Sequence, residues 1–124
     1  MPNVPSVKLL INGEFVESAT NQWHEVINPA TQEVLARVPY ATPDELAAAV
    51  AAAKNAFKTW RLTPIGTRAR IFLKLQQLIR ENMADLAATL TSEQGKTLAD
   101  AEGDIFRGLE VVEHAANIGT LQMG

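Results

Sequence analysis

At 124 residues the chain is long enough for one domain with a modest core and little to spare. A formal net charge of −3 offers no basic surface for nucleic acid, and the lack of cysteine excludes disulfides, thiolate metal sites and a cysteine nucleophile within these residues. The two histidines, His24 and His114, have no second ligand at metal spacing, no apolar run reaches the roughly 20 residues of a membrane helix, and Met1–Lys8 lacks the apolar centre of a signal peptide, so the expectation is a soluble cytoplasmic protein with no membrane partner.

The first third reads as short strands. Val7–Ile11 and Glu14–Glu17 are β-type runs separated by Asn12-Gly13, the strongest two-residue hairpin signal because both positions tolerate positive φ. Trp23–Ile27 reads as a further strand, Asn28-Pro29-Ala30-Thr31 as a turn, and Glu33–Val38 as an alternating strand ended by Pro39.

The remainder reads as helix. Thr42-Pro43-Asp44-Glu45 is a capping box with proline at the first helical position. Leu46, Val50, Ala53, Phe57 and Trp60 follow at helical spacing and make one apolar stripe. Thr63-Pro64 restarts the chain. Ile71, Phe72, Leu75, Leu78 and Ile79 mark a second helix, and Leu86 and Leu90 carry the pattern on to about Gly95, whose missing Cβ suits a helix end. Thr97 caps a last helix with the stripe Ile105, Leu109, Val112 and Ala116. Gly103 and Gly108 inside it each cost about 1 kcal/mol against alanine, which points to a backbone passing close by. The fold class is therefore α+β for these residues: short strands with a hairpin, then about four helices.

Gly95-Lys96-Thr97 looks like the end of a phosphate loop. Such a loop needs a glycine five places before the Gly-Lys pair and a buried strand leading in. Leu90 holds that place, and the preceding residues read as helix. A nucleotide-binding role is the weakest of three readings, behind a piece of a larger enzyme and a non-catalytic helical module.

Leu10-Ile-Asn-Gly-Glu-Phe-Val16, Asn28-Pro-Ala-Thr31, Ala52-Ala-Lys-Asn-Ala-Phe-Lys-Thr-Trp60 and Glu93-Gln-Gly-Lys-Thr-Leu98 together resemble the N-terminal quarter of an aldehyde dehydrogenase. The run Glu93–Ala115 and the closing Met123-Gly124 are similar to the branch acting on methylmalonate and malonate semialdehydes. The resemblance implies an α/β parent fold with a Rossmann-type NAD-binding domain, of which residues 1–124 are an incomplete N-terminal segment. It implies NAD and coenzyme A as cofactors, propionyl- or acetyl-CoA as product, and a role in valine, pyrimidine and inositol breakdown. In that family a cysteine thiolate attacks the aldehyde, an oxyanion site holds the developing charge, and the cysteine and most NAD contacts lie in later sequence. This chain alone is thus expected to be inactive and to hold no catalytic residue, cofactor or metal. Its expected partner is the rest of the enzyme or another copy, the parent being a homotetramer.

The resemblance assigns one site residue here. Arg107 matches an arginine suited to the substrate carboxylate, for which a guanidinium fork is the best receptor. The alternative is that Arg107 pairs with Asp104 or Glu110 on a solvated helix face. Lys96 reads as a helix-end lysine near the negative end of a helix dipole, and His114 as an exposed partner of Glu110. Glu93 has no partner carboxylate, Trp23 and Trp60 read as packing anchors, and the Ile27 carbonyl with Asp104 is a weak candidate for a monovalent cation. Phe57, Trp60, Leu75 and Leu109 are expected on apolar faces left uncovered in the isolated chain.

Overall fold

The computed structural model describes residues 4–123, which group into two compact units, Met1–Leu62 and Thr63–Gly124. The first holds four strands and a helix. Strands β1 (Leu9–Ile11) and β2 (Glu14–Val16) pair antiparallel, Leu9 opposite Val16. Asn12 and Gly13 turn the chain at φ 54° and 80°, the left-handed pair that a two-residue hairpin demands. Strands β3 (Trp23–Ile27) and β4 (Val34–Pro39) form a second antiparallel pair with an irregularity at Val26/Ile27. Between them the Asn28 Oδ1 accepts the Ala30 N–H at 2.9 Å, and the Gln32 N–H donates back to the Asn28 carbonyl at 2.8 Å, closing the expected turn. Pro39 ends β4 as its last residue. Arg37 bonds through its backbone to Pro5 and Val7, so a short parallel bridge flanks β4.

Helix α1 spans Pro43–Trp60. The capping box forms as the sequence requires: the Thr42 Oγ1 accepts the Glu45 N–H at 3.3 Å, and the Glu45 carboxylate accepts the Thr42 N–H at 2.8 Å. That same carboxylate accepts the Ser18 hydroxyl and the Ala19 N–H, each at 2.8 Å, tying the segment after β2 to the helix start. These backbone bonds, from Thr42 first and then Ala19, with the Ser18 hydroxyl adding to them, hold Glu45 below the ordinary carboxylate range. No residue of α1 is buried. Its stripe residues Leu46, Val50, Phe57 and Trp60 are all exposed, Phe57 by 59%.

The second unit is helical. Helices α2 (Ile65–Glu81) and α3 (Met83–Gln94) are separated at Asn82, where one uninterrupted pattern toward Gly95 was expected. Asn82 leaves the helical region (φ −113°, ψ 18°), and both its backbone N–H, at 3.1 Å, and its side-chain Nδ2, at 2.8 Å, donate to the Leu78 carbonyl, closing the last turn of α2. Gly95 ends α3 in the left-handed conformation, φ 72°, its N–H donating to the Thr91 carbonyl. Helix α4 (Leu98–Asn117) runs into a 3-10 turn, Ile118–Met123.

Helix α4 packs extensively on both α2 and α3, which touch each other only sparsely. The buried residues of the unit are Ala87 on α3 and Ala101, Leu109 and Ala116 on α4. Leu109, at 2% exposure, is the largest fully buried side chain among the described residues. It was expected on an uncovered face and is instead the centre of the core. Leu75 (41%) and Trp60 (45%) do remain open. The close approach expected at Gly103 and Gly108 is not made among the described residues: a Cβ at either would meet nothing within 4 Å.

Candidate functional site

The residues from Gly95 to Arg107 assemble one charged cluster inside the second unit. Gly95 lets α3 stop, and Lys96 follows in the short connection. Thr97 then caps α4, its Oγ1 accepting the Asp100 N–H at 3.2 Å. The helix carries Asp104 and Arg107 one turn apart on the same side.

Asp104 is the hub. Lys96 Nζ donates to its Oδ2, and Arg107 Nη1 donates to its Oδ1 at 2.7 Å. The Lys96 hydrogen bond, followed by the charges of Lys96 and Arg107, keeps the Asp104 carboxyl below its ordinary value. Burial is graded across the three: the Lys96 side chain is 26% exposed and that of Arg107 74%. A depression of about 440 Å³ opens beside them, lined by Lys96, Ala99, Asp100, Gly103, Asp104 and Arg107. Gly103 adds no side chain to its floor. Chemically, the cluster presents a guanidinium with one nitrogen engaged and its outer part in solvent.

Arg107 therefore makes the intrahelical pair with Asp104 and also faces an accessible depression. Its alternative partner Glu110 is not in ion-pair reach among the described residues, nor is Glu110 paired with His114. Lys96 meets Asp104 across the turn rather than standing alone at the helix end. Asp104 already carries two cationic partners, which leaves its carboxylate ill suited to a monovalent cation. No group of three or more acidic or histidine ligands occurs among the described residues. Trp23, the first residue of β3, is 37% exposed and lies beside Val7 and Ser18 of its own unit. Gly95-Lys96-Thr97 makes no phosphate cradle: the Gly95 N–H closes α3, Thr97 caps α4, and Lys96 is taken by Asp104. No helix is long and apolar enough to cross a membrane.

The two hairpins and four helices, with this cluster at the start of α4, are the opening portion of an aldehyde dehydrogenase fold. The chain belongs to the aldehyde dehydrogenase family, whose pattern matches residues 15–124. Similar proteins over nearly the whole chain include methylmalonate-semialdehyde dehydrogenases. It is 62% identical over 120 residues to the acylating, mitochondrial enzyme of Arabidopsis thaliana, covering 97% of this chain and 20% of that protein. It is 54% identical over 122 residues to the mitochondrial methylmalonate-semialdehyde/malonate-semialdehyde dehydrogenase of Homo sapiens, covering 98% and 23%. Among solved structures, a methylmalonate-semialdehyde dehydrogenase of Sinorhizobium meliloti complexed with NAD superposes with a TM-score of 0.91 at 42% identity, over 98% of this chain and 25% of that one. The enzyme of Oceanimonas doudoroffii gives 0.89 at 33% identity, over 95% and 24%. The chain thus spans a fifth to a quarter of the length of the proteins it matches.

Proposed function

We propose that these residues are the N-terminal segment of the NAD-binding domain of a CoA-acylating methylmalonate- or malonate-semialdehyde dehydrogenase. The observation carrying this reading is the 62% identity to an acylating enzyme of that specificity across almost the entire chain. NAD, present in the Sinorhizobium meliloti structure, accepts hydride in the complete protein. The groups around Gly95-Lys96-Thr97 do not fit a nucleotide, and the family resemblance puts most NAD contacts in later sequence. Aldehyde oxidation through an acyl-enzyme needs a nucleophile, and none of the 124 residues is a cysteine. The segment by itself is therefore catalytically silent: the purified chain given NAD, coenzyme A and malonate semialdehyde produces no NADH. Turnover in that mixture would overturn the reading.

Within the complete enzyme, Arg107 binds the substrate carboxylate. Its exposed guanidinium beside an open depression supports this, because a planar fork matches a carboxylate with two parallel hydrogen bonds. Arg107→Ala in the complete enzyme lowers kcat/KM for the carboxylated semialdehyde about 100-fold relative to an uncharged aldehyde. An unchanged ratio would remove Arg107 from the site.

The rest of the enzyme, assembled as a homotetramer, is the partner. The open faces of α1 and α2, with Phe57, Trp60 and Leu75 exposed, support a covering surface. The isolated chain accordingly self-associates, and a stable monomer at high concentration in sedimentation, with no binding of an apolar dye, would count against this. The cytoplasm and the valine, pyrimidine and inositol routes are part of the same proposal. Fractionation to the mitochondrion, for which the curated relatives are named, would correct the compartment.

A further inference from the structure

The geometry points to Lys96 as the residue that keeps Arg107 open for a carboxylate ligand; we infer that Lys96 is a positioning residue for substrate selectivity. The inference rests on the reading of Arg107 given above and adds a residue to it. Asp104 has two carboxylate oxygens, and they are divided: Oδ2 accepts from Lys96 and Oδ1 accepts from Arg107 Nη1. An aspartate three residues before an arginine on a helix is placed to take that arginine with both oxygens, as a fork-on-fork pair. Such a pair would close two guanidinium nitrogens at once. Here Oδ2 is turned to Lys96, and Arg107 makes no bond to it. The Asp104–Arg107 contact is a single hydrogen bond, which leaves the remainder of the guanidinium fork unspent beside the depression.

Two further observations agree. The Lys96 side chain is the least exposed of the three, so it is held in place rather than sampling solvent. It reaches Asp104 from outside α4, so it depends on the turn at Gly95. Asp100 also faces the depression, and its charge offsets that of one cation. The depression is therefore close to neutral in sum, and selectivity for a carboxylate comes from available hydrogen-bond donors rather than bulk potential.

The test uses the complete enzyme and reads one number, the ratio of kcat/KM for malonate semialdehyde to that for propanal. Lys96→Met keeps length and removes the donor. It lowers the ratio about tenfold, through KM, because Asp104 then takes Arg107 with both oxygens. Lys96→Arg restores the donor and keeps the ratio within about threefold of wild type. The double variant Lys96→Met/Asp104→Asn also recovers the ratio, since an amide no longer binds the guanidinium as an ion pair. A damaged fold would not recover on adding a second substitution. The inference is overturned if Lys96→Met leaves the ratio unchanged, or if the double variant is as impaired as the single one. Arg107→Ala separates the two readings. If it collapses the ratio while Lys96→Met does not, only the role of Lys96 falls; if it leaves the ratio intact, the carboxylate contact itself falls.

Discussion

Truncating Leu109 to alanine is the most direct challenge to the architecture of the second unit. Leu109 lies on α4, which packs on both α2 and α3, and it is 2% exposed. The other buried residues of that unit are alanines (Ala87, Ala101 and Ala116), which bring little apolar area of their own. A buried Leu→Ala change costs about 2–5 kcal/mol, from lost transfer energy and the cavity left behind. About 3 kcal/mol is the reasonable expectation where flanking helices can close in part. A unit of about 60 residues owns roughly 3–9 kcal/mol in total, so this one side chain accounts for a third or more of it. The assay is urea unfolding of the chain followed by far-UV circular dichroism, with amide hydrogen exchange resolving α4. Phe106→Ala is the control: it removes a larger side chain from the same helix, but one that is 52% exposed, and should cost less than about 1 kcal/mol. If the two substitutions destabilise equally, Leu109 is not the centre of this core.

Three smaller tests follow from the termini and charges. Thr42→Ala removes half of the capping box and should weaken the first turn of α1 by about 1 kcal/mol, read as faster amide exchange at Glu45 and Leu46; unchanged exchange there would contradict it. Gly95→Ala forces a Cβ into a φ of 72° and should cost about 1 kcal/mol, measured by urea midpoint, with no loss if α3 ends another way in solution. Asp104 and Glu45 both have depressed pKa values, so their contribution is present above the unfolded carboxylate pKa of roughly 4 and lost as pH falls through the folded values. Stability should therefore decline as pH falls below about 5, less steeply in Asp104→Asn; an identical slope in that variant would deny Asp104 any part in it.

Local chemistry made much of this chain legible in advance. Asn12-Gly13 dictates a left-handed pair because few other residues adopt it cheaply, and the structure has it. Thr42 and Glu45 specify each other's backbone bonds, and at the start of α4 the Thr97 hydroxyl accepts the Asp100 N–H in the same way, on one side only. Features depending on what comes to rest against what were harder to read. A single residue out of helical conformation at Asn82 barely shifts the phase of the apolar pattern, so periodicity ran straight through it. The stripe on α4 was visible, but periodicity says which face is apolar and not which neighbour covers it, and Leu109 was placed in the open for that reason. The Lys96–Asp104 contact is eight residues apart across a turn, outside the three- and four-residue spacing that reveals pairs within one helix. Finding it would have required knowing that Gly95 folds the chain back.

The way α4 is shared has a consequence for the order in which the second unit comes into being. Helices α2 and α3 emerge first during synthesis, yet they bury little against one another. Each is short enough to be marginal alone in water. Their common support arrives only with Leu98–Asn117, the last long element of the unit. Until those residues have left the ribosome, α2 and α3 lack the helix on which each packs within this unit. Within the unit, α2 and α3 are thus made stable together by α4, the helix that carries Leu109.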